Sequence, residues 1–253
     1  GFISKASGHP SDLLASQLTT ADAYGNSGRD LIAAMVVAYE VFAHYADVIE
    51  ARAHGFDQST ILGFAALVGM CKLMGLTREQ MVNAIGITVG GNTAINQGRV
   101  GTLSNWKNYA TSEASRKAVF SAMLAQAGMT GPREVFEGRD GWMNVIYRKP
   151  FSFAPWSSPP YGIMRAFTKR FALGQYSQTV AQAALEARTH FKSTDEIAEV
   201  NLHVSKSAIR VMAATAEKWR PRTHETADHS MPWGTGCALL YGNVIADYYE
   251  APY

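Results

Sequence analysis

Residues 99–117, RVGTLSNWKNYATSEASRK, place three groups able to hold an anion, Arg99, Ser104 and Lys107, ahead of a run of small residues that reads as the start of a helix. A helix N-terminus carries unpaired N–H groups and the positive end of the helix dipole, so cations and backbone donors presented there suit a carboxylate. The same spacing also fits an ordinary loop with solvated basic residues. The other titratable side chains carry less chemistry. His44 and His54 flank a helix end, His203 sits in an alternating stretch, and His190 and His224 lie in polar contexts; none has the spacing of a metal-binding pair, and all read as structural or solvated. Cys71 and Cys237 are far apart and in apolar or small-residue surroundings, so they read as reduced core thiols and not as ligands of zinc or an iron–sulfur cluster. The GITVGG stretch at 86–91 follows a helix and lacks the strand–turn–helix setting of a dinucleotide fingerprint. No metal and no nicotinamide or flavin cofactor is implied.

These residues need a scaffold, and 253 residues give ample length for a sizeable core. A hydrophobic fraction of 47% and a charged fraction of 17% describe an ordinary soluble globular chain, with no apolar run approaching the ~18 residues of a membrane span. The net charge of +2 is scattered, without basic blocks or interleaved aromatic platforms, which argues against nucleic acid as a partner. No secretory signal is visible at the start, GFISKASGHPSD, and the lack of an initial Met suggests a natural N-terminus upstream. A cytoplasmic location is expected, or a mitochondrial one in a eukaryote.

Helical periodicity dominates the first part. Residues 30–44, DLIAAMVVAYEVFAH, are apolar on most of their surface and predict a helix at a bundle centre, and 60–73 repeats that character before Gly75. Thr77 with Gln80 forms a capping box that starts a helix at 78–89, and 112–128 reads as a helix closed by Gly128 before Thr130-Gly131-Pro132. Character changes at 151–162, FSFAPWSSPPYG, which cannot continue a helix and places a boundary near residue 150. Beyond it, 178–188 reads as a helix, 197–204 (IAEVNLHV) alternates as a half-buried strand does, and 230–248 returns to helix. The expected architecture is mainly α: a helical domain over 1–150, then a partial α+β unit with a returning helix over 151–253. One helix–strand–helix set is too little for a sheet, so further strands are expected from outside this sequence.

Four stretches then combine. GHPSD at 8–12, SNWKNYATSEASRKAVFSAMLAQAGMTGP at 104–132, FEGRDGW at 136–142 and KRFALGQYSQTVAQAALE at 169–186, in this order and spacing, resemble the MmgE/PrpD family of 2-methylcitrate dehydratases and cis-aconitate decarboxylases. The resemblance implies a large helical domain with a smaller α+β lid, a homodimer, and catalysis without a metal or iron–sulfur cluster, the present sequence covering the middle portion. It places His9 at the active site and Lys107 and Lys169 in its basic pocket, with Ser11, Asp12, Arg99 and Ser104 as candidates for substrate contact or orientation. His229, in DHSMPWGTG, is a minor candidate. Asp57 and Gly174 stand where the decarboxylases carry histidines, which favours dehydration over decarboxylation.

The implied reaction removes a proton from the carbon beside a carboxylate, holds the negative charge that develops, and protonates the departing hydroxide. Lysines can hold the charge, a histidine near neutral pKa can exchange the proton, and a tricarboxylate needs fixed cations such as Arg99 merely to bind. The expected function is a metal-independent hydro-lyase on a small tricarboxylate, 2-methylcitrate foremost. Decarboxylation of cis-aconitate, isomerisation by the same proton abstraction, and a noncatalytic helical binding protein are the alternatives. His9, Lys107 and Lys169 are expected to share one basic pocket.

Overall fold

The computed structural model describes residues 1–156 and 161–250 and is built almost wholly of helices. Its contacts divide into two compact units, one of residues 1–98 and 108–167, the other of 99–107 and 168–253. The proline-rich stretch 151–162 therefore stays with the first unit, apart from 157–160, which lie outside the described residues.

The first unit opens with a 3-10 turn, Pro10–Leu13, followed by α1 (Leu14–Ala23), α2 (Gly28–Val48), α3 (Gln58–Leu73), α4 (Arg78–Gly91) and most of α5 (Trp106–Gln126). Packing separates α2 from α3, which the sequence had read alike. Helix α3 is buried on nearly every face, from Gln58 through Leu73, and is the true centre of the unit. Helix α2 packs against it through Ala34, Ala38, Phe42, Ala43, Tyr45 and Ala46 but leaves Ile32 67% exposed, with Val36, Val37 and Val41 half-buried. By length and composition α2 could cross a bilayer; here it lays one face on α3. Helix α5 buries an alanine stripe, Ala110, Ala114, Ala118 and Ala122, at the i, i+4 spacing of one helix face. A Cβ built on Gly63 of α3 would lie 3.2 Å from the Ala114 Cβ, so small residues on both sides set that close approach.

Local signals act where the sequence placed them. Thr77 Oγ1 accepts from the Gln80 N–H at 3.2 Å and Gln80 Oε1 from the Thr77 N–H at 3.0 Å. Ser27 and Asp30 form a second such box ahead of α2. Gly128, at φ +98°, ends α5 in the left-handed region that favours glycine.

The second unit holds α6 (Gln178–Ala187), α7 (Lys206–Met212), α8 (Ala216–Trp219), α9 (His224–Ala227) and α10 (Met231–Tyr241). Helix α10 packs most heavily on α6, over a core of Phe171, Leu173, Ala181, Cys237 and Ala238. It is shorter than the sequence suggested, because Gly242 at φ +70° stops it. The strand expected at 197–204 is not formed: the segment is extended, has no β-partner among the described residues, and leaves Val200 48% and Leu202 40% exposed. Alternation supplies the period of a strand, but a strand exists only where another pairs with it.

Candidate functional site

The second unit gathers charge around Lys107. Helix α5 begins one residue before it, so Lys107 belongs to the first helical turn and not to the preceding loop as the sequence suggested. The segment leading there is stitched to the start of α9. The Leu103 N–H donates to Thr226 Oγ1 at 3.1 Å, and Thr223 Oγ1 donates to the Leu103 carbonyl at 3.1 Å. The Ser104 carbonyl accepts from the Lys107 N–H at 3.0 Å. Held this way, Lys107 is 8% exposed and its Nζ donates to both oxygens of Asp228, at 2.9 and 3.3 Å. Asp228 is the residue after α9, and its other partner is its neighbour His229, whose Nδ1 pairs with Oδ1.

The electrostatics follow from burial and these contacts. Desolvation would raise Asp228, but the hydrogen bond with His229, with the charge and hydrogen bond of Lys107, outweighs it and holds the carboxyl below its usual range. Desolvation is also the main influence on His229. Asp228 opposes it, Lys107 and Lys218 reinforce it, and the imidazole falls to about 4. At neutral pH the cluster is a carboxylate, ammonium groups and a neutral imidazole with its Nδ1 fixed toward Asp228, an orientation that leaves Nε2 as the free ring nitrogen. Such a group can hold an anion and exchange a proton.

The KRFALG stretch lies alongside. Gln178, first residue of α6, accepts with Oε1 from the Arg170 and Phe171 N–H groups, both at 3.0 Å, and donates with Nε2 to the carbonyls of Phe171 and Leu173. The Gly174 N–H donates to the Asp228 carbonyl at 2.8 Å. A Cβ on Gly174 would come within 2.4 Å of Met212 Cε, so Met212 occupies the space a histidine would need there. Lys169, which opens the stretch, is half-buried. Arg99 is half-buried at the end of a 3-10 turn, Asn96–Arg99, and Ser104 is exposed, contributing its carbonyl to the start of α5.

The remaining candidates belong to the first unit. His9 precedes the turn Pro10–Leu13, with Pro10 at its first position, and its carbonyl accepts from the Asp12 N–H at 2.9 Å. It is half-buried, while Ser11 and Asp12 are exposed. Gly8 fixes its backbone: a Cβ there would fall 2.6 Å from Phe42 Cζ, and Gly8 bridges to Phe2 through paired backbone hydrogen bonds of 2.9 and 3.0 Å. Asp57 is the N-cap of α3, accepting from the Ser59 N–H at 2.8 Å. Its carboxylate therefore has a local structural task. Among the described residues no group of three His, Cys, Asp or Glu is placed to hold a metal ion.

Reasoning from sequence ranked His229 low and did not single out Asp228 or Lys218. The available signal was the pair Asp228-His229 directly before Ser230, an N-cap whose hydroxyl accepts from the Trp233 N–H at 3.0 Å.

Residues 1–154 match the MmgE/PrpD N-terminal domain and residues 171–253 the MmgE/PrpD C-terminal domain. The chain belongs to the MmgE/PrpD family. This MmgE/PrpD chain is 25% identical over 264 aligned residues to a protein of Cupriavidus necator named 2-methylcitrate dehydratase, covering 96% of the chain and 53% of that protein. Identity and coverage are the same for the 2-methylcitrate dehydratase of Escherichia coli strain K12. A Talaromyces stipitatus protein named alkylcitrate dehydratase is 24% identical over 256 residues, covering 93% of the chain and 50% of that protein. The chain thus spans about half the length of the curated relatives it matches. Similarity to dehydratases supports a hydro-lyase family.

Proposed function

We propose that this chain is part of a hydro-lyase that dehydrates a small β-hydroxy tricarboxylate, with 2-methylcitrate converted to 2-methyl-aconitate and water. The observation that carries the reading is the similarity to 2-methylcitrate dehydratases along 96% of the chain. The physical fit is the Lys107–Asp228–His229 cluster, which sets a buried lysine ammonium and an imidazole around one half-buried carboxylate.

In this reading Lys107 and Lys169 hold substrate carboxylates and the charge that builds as the C–H bond breaks, since preoriented charge at a water-poor site stabilises a carbanion-like transition state. His9 exchanges the proton. The electron pair of the C–H bond becomes the new double bond, the C–O bond breaks on the adjacent carbon, and the hydroxide leaves as water once protonated. Arg99, Ser104, Ser11 and Asp12 contact or orient the substrate. The homodimer implied by the family resemblance belongs to the same proposal.

The test is direct. The intact protein is incubated with 2-methylcitrate, citrate and cis-aconitate while alkene absorbance and CO2 are followed. Alkene from 2-methylcitrate is expected, and Lys107→Ala, Lys169→Ala and His9→Ala should each lower turnover by orders of magnitude with the fold intact. CO2 from cis-aconitate with no alkene from 2-methylcitrate would overturn the dehydratase reading, and unchanged turnover in the three variants would overturn the roles given to these residues.

A further inference from the structure

Lys218 lies in α8 and is 5% exposed, yet its ammonium has no hydrogen-bond acceptor and no ion-pair partner among the described residues. Its stem is enclosed while the ammonium keeps some contact with water, and a cation so placed is stabilised by an anion that faces it. Two carboxylates are near, and neither bonds to Lys218. Asp228 serves Lys107 and His229 together, and Glu217, the neighbour of Lys218 in α8, forms no ion pair with it among the described residues. Lys107 holds the half-buried Asp228 carboxylate with the His229 imidazole beside it, and Lys218, under the field of the same carboxylate, is left without a direct partner of its own among the described residues. Its placement is fixed by the chain: the Ser230 hydroxyl donates to the Lys218 carbonyl, tying α8 to the residue that follows His229, and Ser230 itself is completely buried.

We propose that Lys218 and Lys107 form a carboxylate-binding subsite beside His229, with Lys218 receiving a carboxylate group of the substrate. That the anion is a substrate carboxylate rests on the dehydratase reading; that an anion binds there rests on the enclosed Lys218 side chain, whose ammonium has no partner among the described residues. Binding has a proton consequence. Desolvation lowers Lys218, Asp228 and Glu217 oppose this, and Lys107 adds to it, while His229 is lowered by burial with help from both lysines and opposed by Asp228. A carboxylate arriving beside His229 favours its protonated form and raises it from about 4, so in mildly acidic solution the complex takes up a proton there.

The probe is propane-1,2,3-tricarboxylate, which has the three carboxylates and no hydroxyl to eliminate. Calorimetric titration of the intact protein in two mildly acidic buffers of different ionisation enthalpy reads affinity and proton uptake together. Wild type should bind with net uptake. K218M should bind on the order of tenfold to a hundredfold more weakly, the worth of one charge-assisted hydrogen bond, with less uptake, and K218R should recover most of the affinity. Unchanged affinity in folded K218M overturns the subsite. Should K218M not fold, wild type decides: bound tricarboxylate must protect Lys218 from acetylation, read by peptide mass, and lack of protection overturns the subsite. Parallel turnover of 2-methylcitrate separates the two proposals. Lys218-dependent binding without turnover sinks the dehydratase reading and keeps the subsite, whereas turnover with unchanged kcat and KM in K218M does the reverse.

Discussion

His229 shows how a residue's neighbours decide its chemistry. An imidazole in water titrates near 6.5, and burial beside Lys107 and Lys218 takes this one to about 4 despite its bond to Asp228. Linkage gives the sign. Between those values the unfolded chain holds a proton at His229 that the folded chain does not, so the stability from keeping it neutral is complete above about 6.5 and is lost as pH falls toward about 4. Thermal melts of wild type should decline across that window, and His229→Asn should decline distinctly less; parallel curves would remove the buried neutral imidazole. The sequence displayed the pair Asp228-His229 but not its partners, because Lys107 and Lys218 reach it only through tertiary contacts. Asp57 went the opposite way. The sequence marked it only as standing where the decarboxylases carry a histidine, and in the structure it caps α3.

At the scale of elements, signals that act within a few residues were legible, and those that depend on a partner were not. The Thr77 box and the Gly128 stop are local hydrogen bonding and backbone conformation, and both stand as read. The alternation at 197–204 was equally clear, but its outcome depends on a neighbouring strand. Helices α2 and α3 look alike in composition, and only packing shows which is surrounded. The glycines of α4 make the same point experimentally. A Cβ on Gly86 would lie 2.6 Å from the Pro132 carbonyl oxygen and 2.9 Å from the Gly131 carbonyl carbon, both backbone atoms that cannot step aside, whereas one on Gly91 meets nothing within 4 Å. Gly86→Ala should therefore cost ~2 kcal/mol or more by forcing the 131–132 segment off α4. Gly91→Ala should be neutral or stabilising by up to ~1 kcal/mol through helix propensity. Denaturant unfolding of the two variants checks this, and equal effects would contradict the close approach.

Across the whole molecule, chemistry and chain order are interleaved. Residues 99–107 stand between α4 and α5 in sequence but belong to the second unit, so Lys107 is delivered to Asp228 by a stretch set inside the helical part of the chain. A boundary near residue 150 could not foresee that exchange, since composition changes along the chain while contacts do not follow its order. The same interleaving bears on how the reaction can run. An elimination beside a carboxylate needs positive charge at the developing carbanion, which a divalent cation or protein ammonium groups can supply equally well in principle. This chain places Lys107 and Lys218 around one carboxylate and offers, among the described residues, no cluster of three donors for a metal ion. In the proposed reading, lysine ammonium groups supply that charge. The intact protein, dialysed exhaustively against a chelator, should retain its turnover of 2-methylcitrate, with rates falling steeply instead as ionic strength rises and screens the lysines. Reproducible loss on chelation that iron or zinc restores would show that a metal carries the charge assigned here to the lysines.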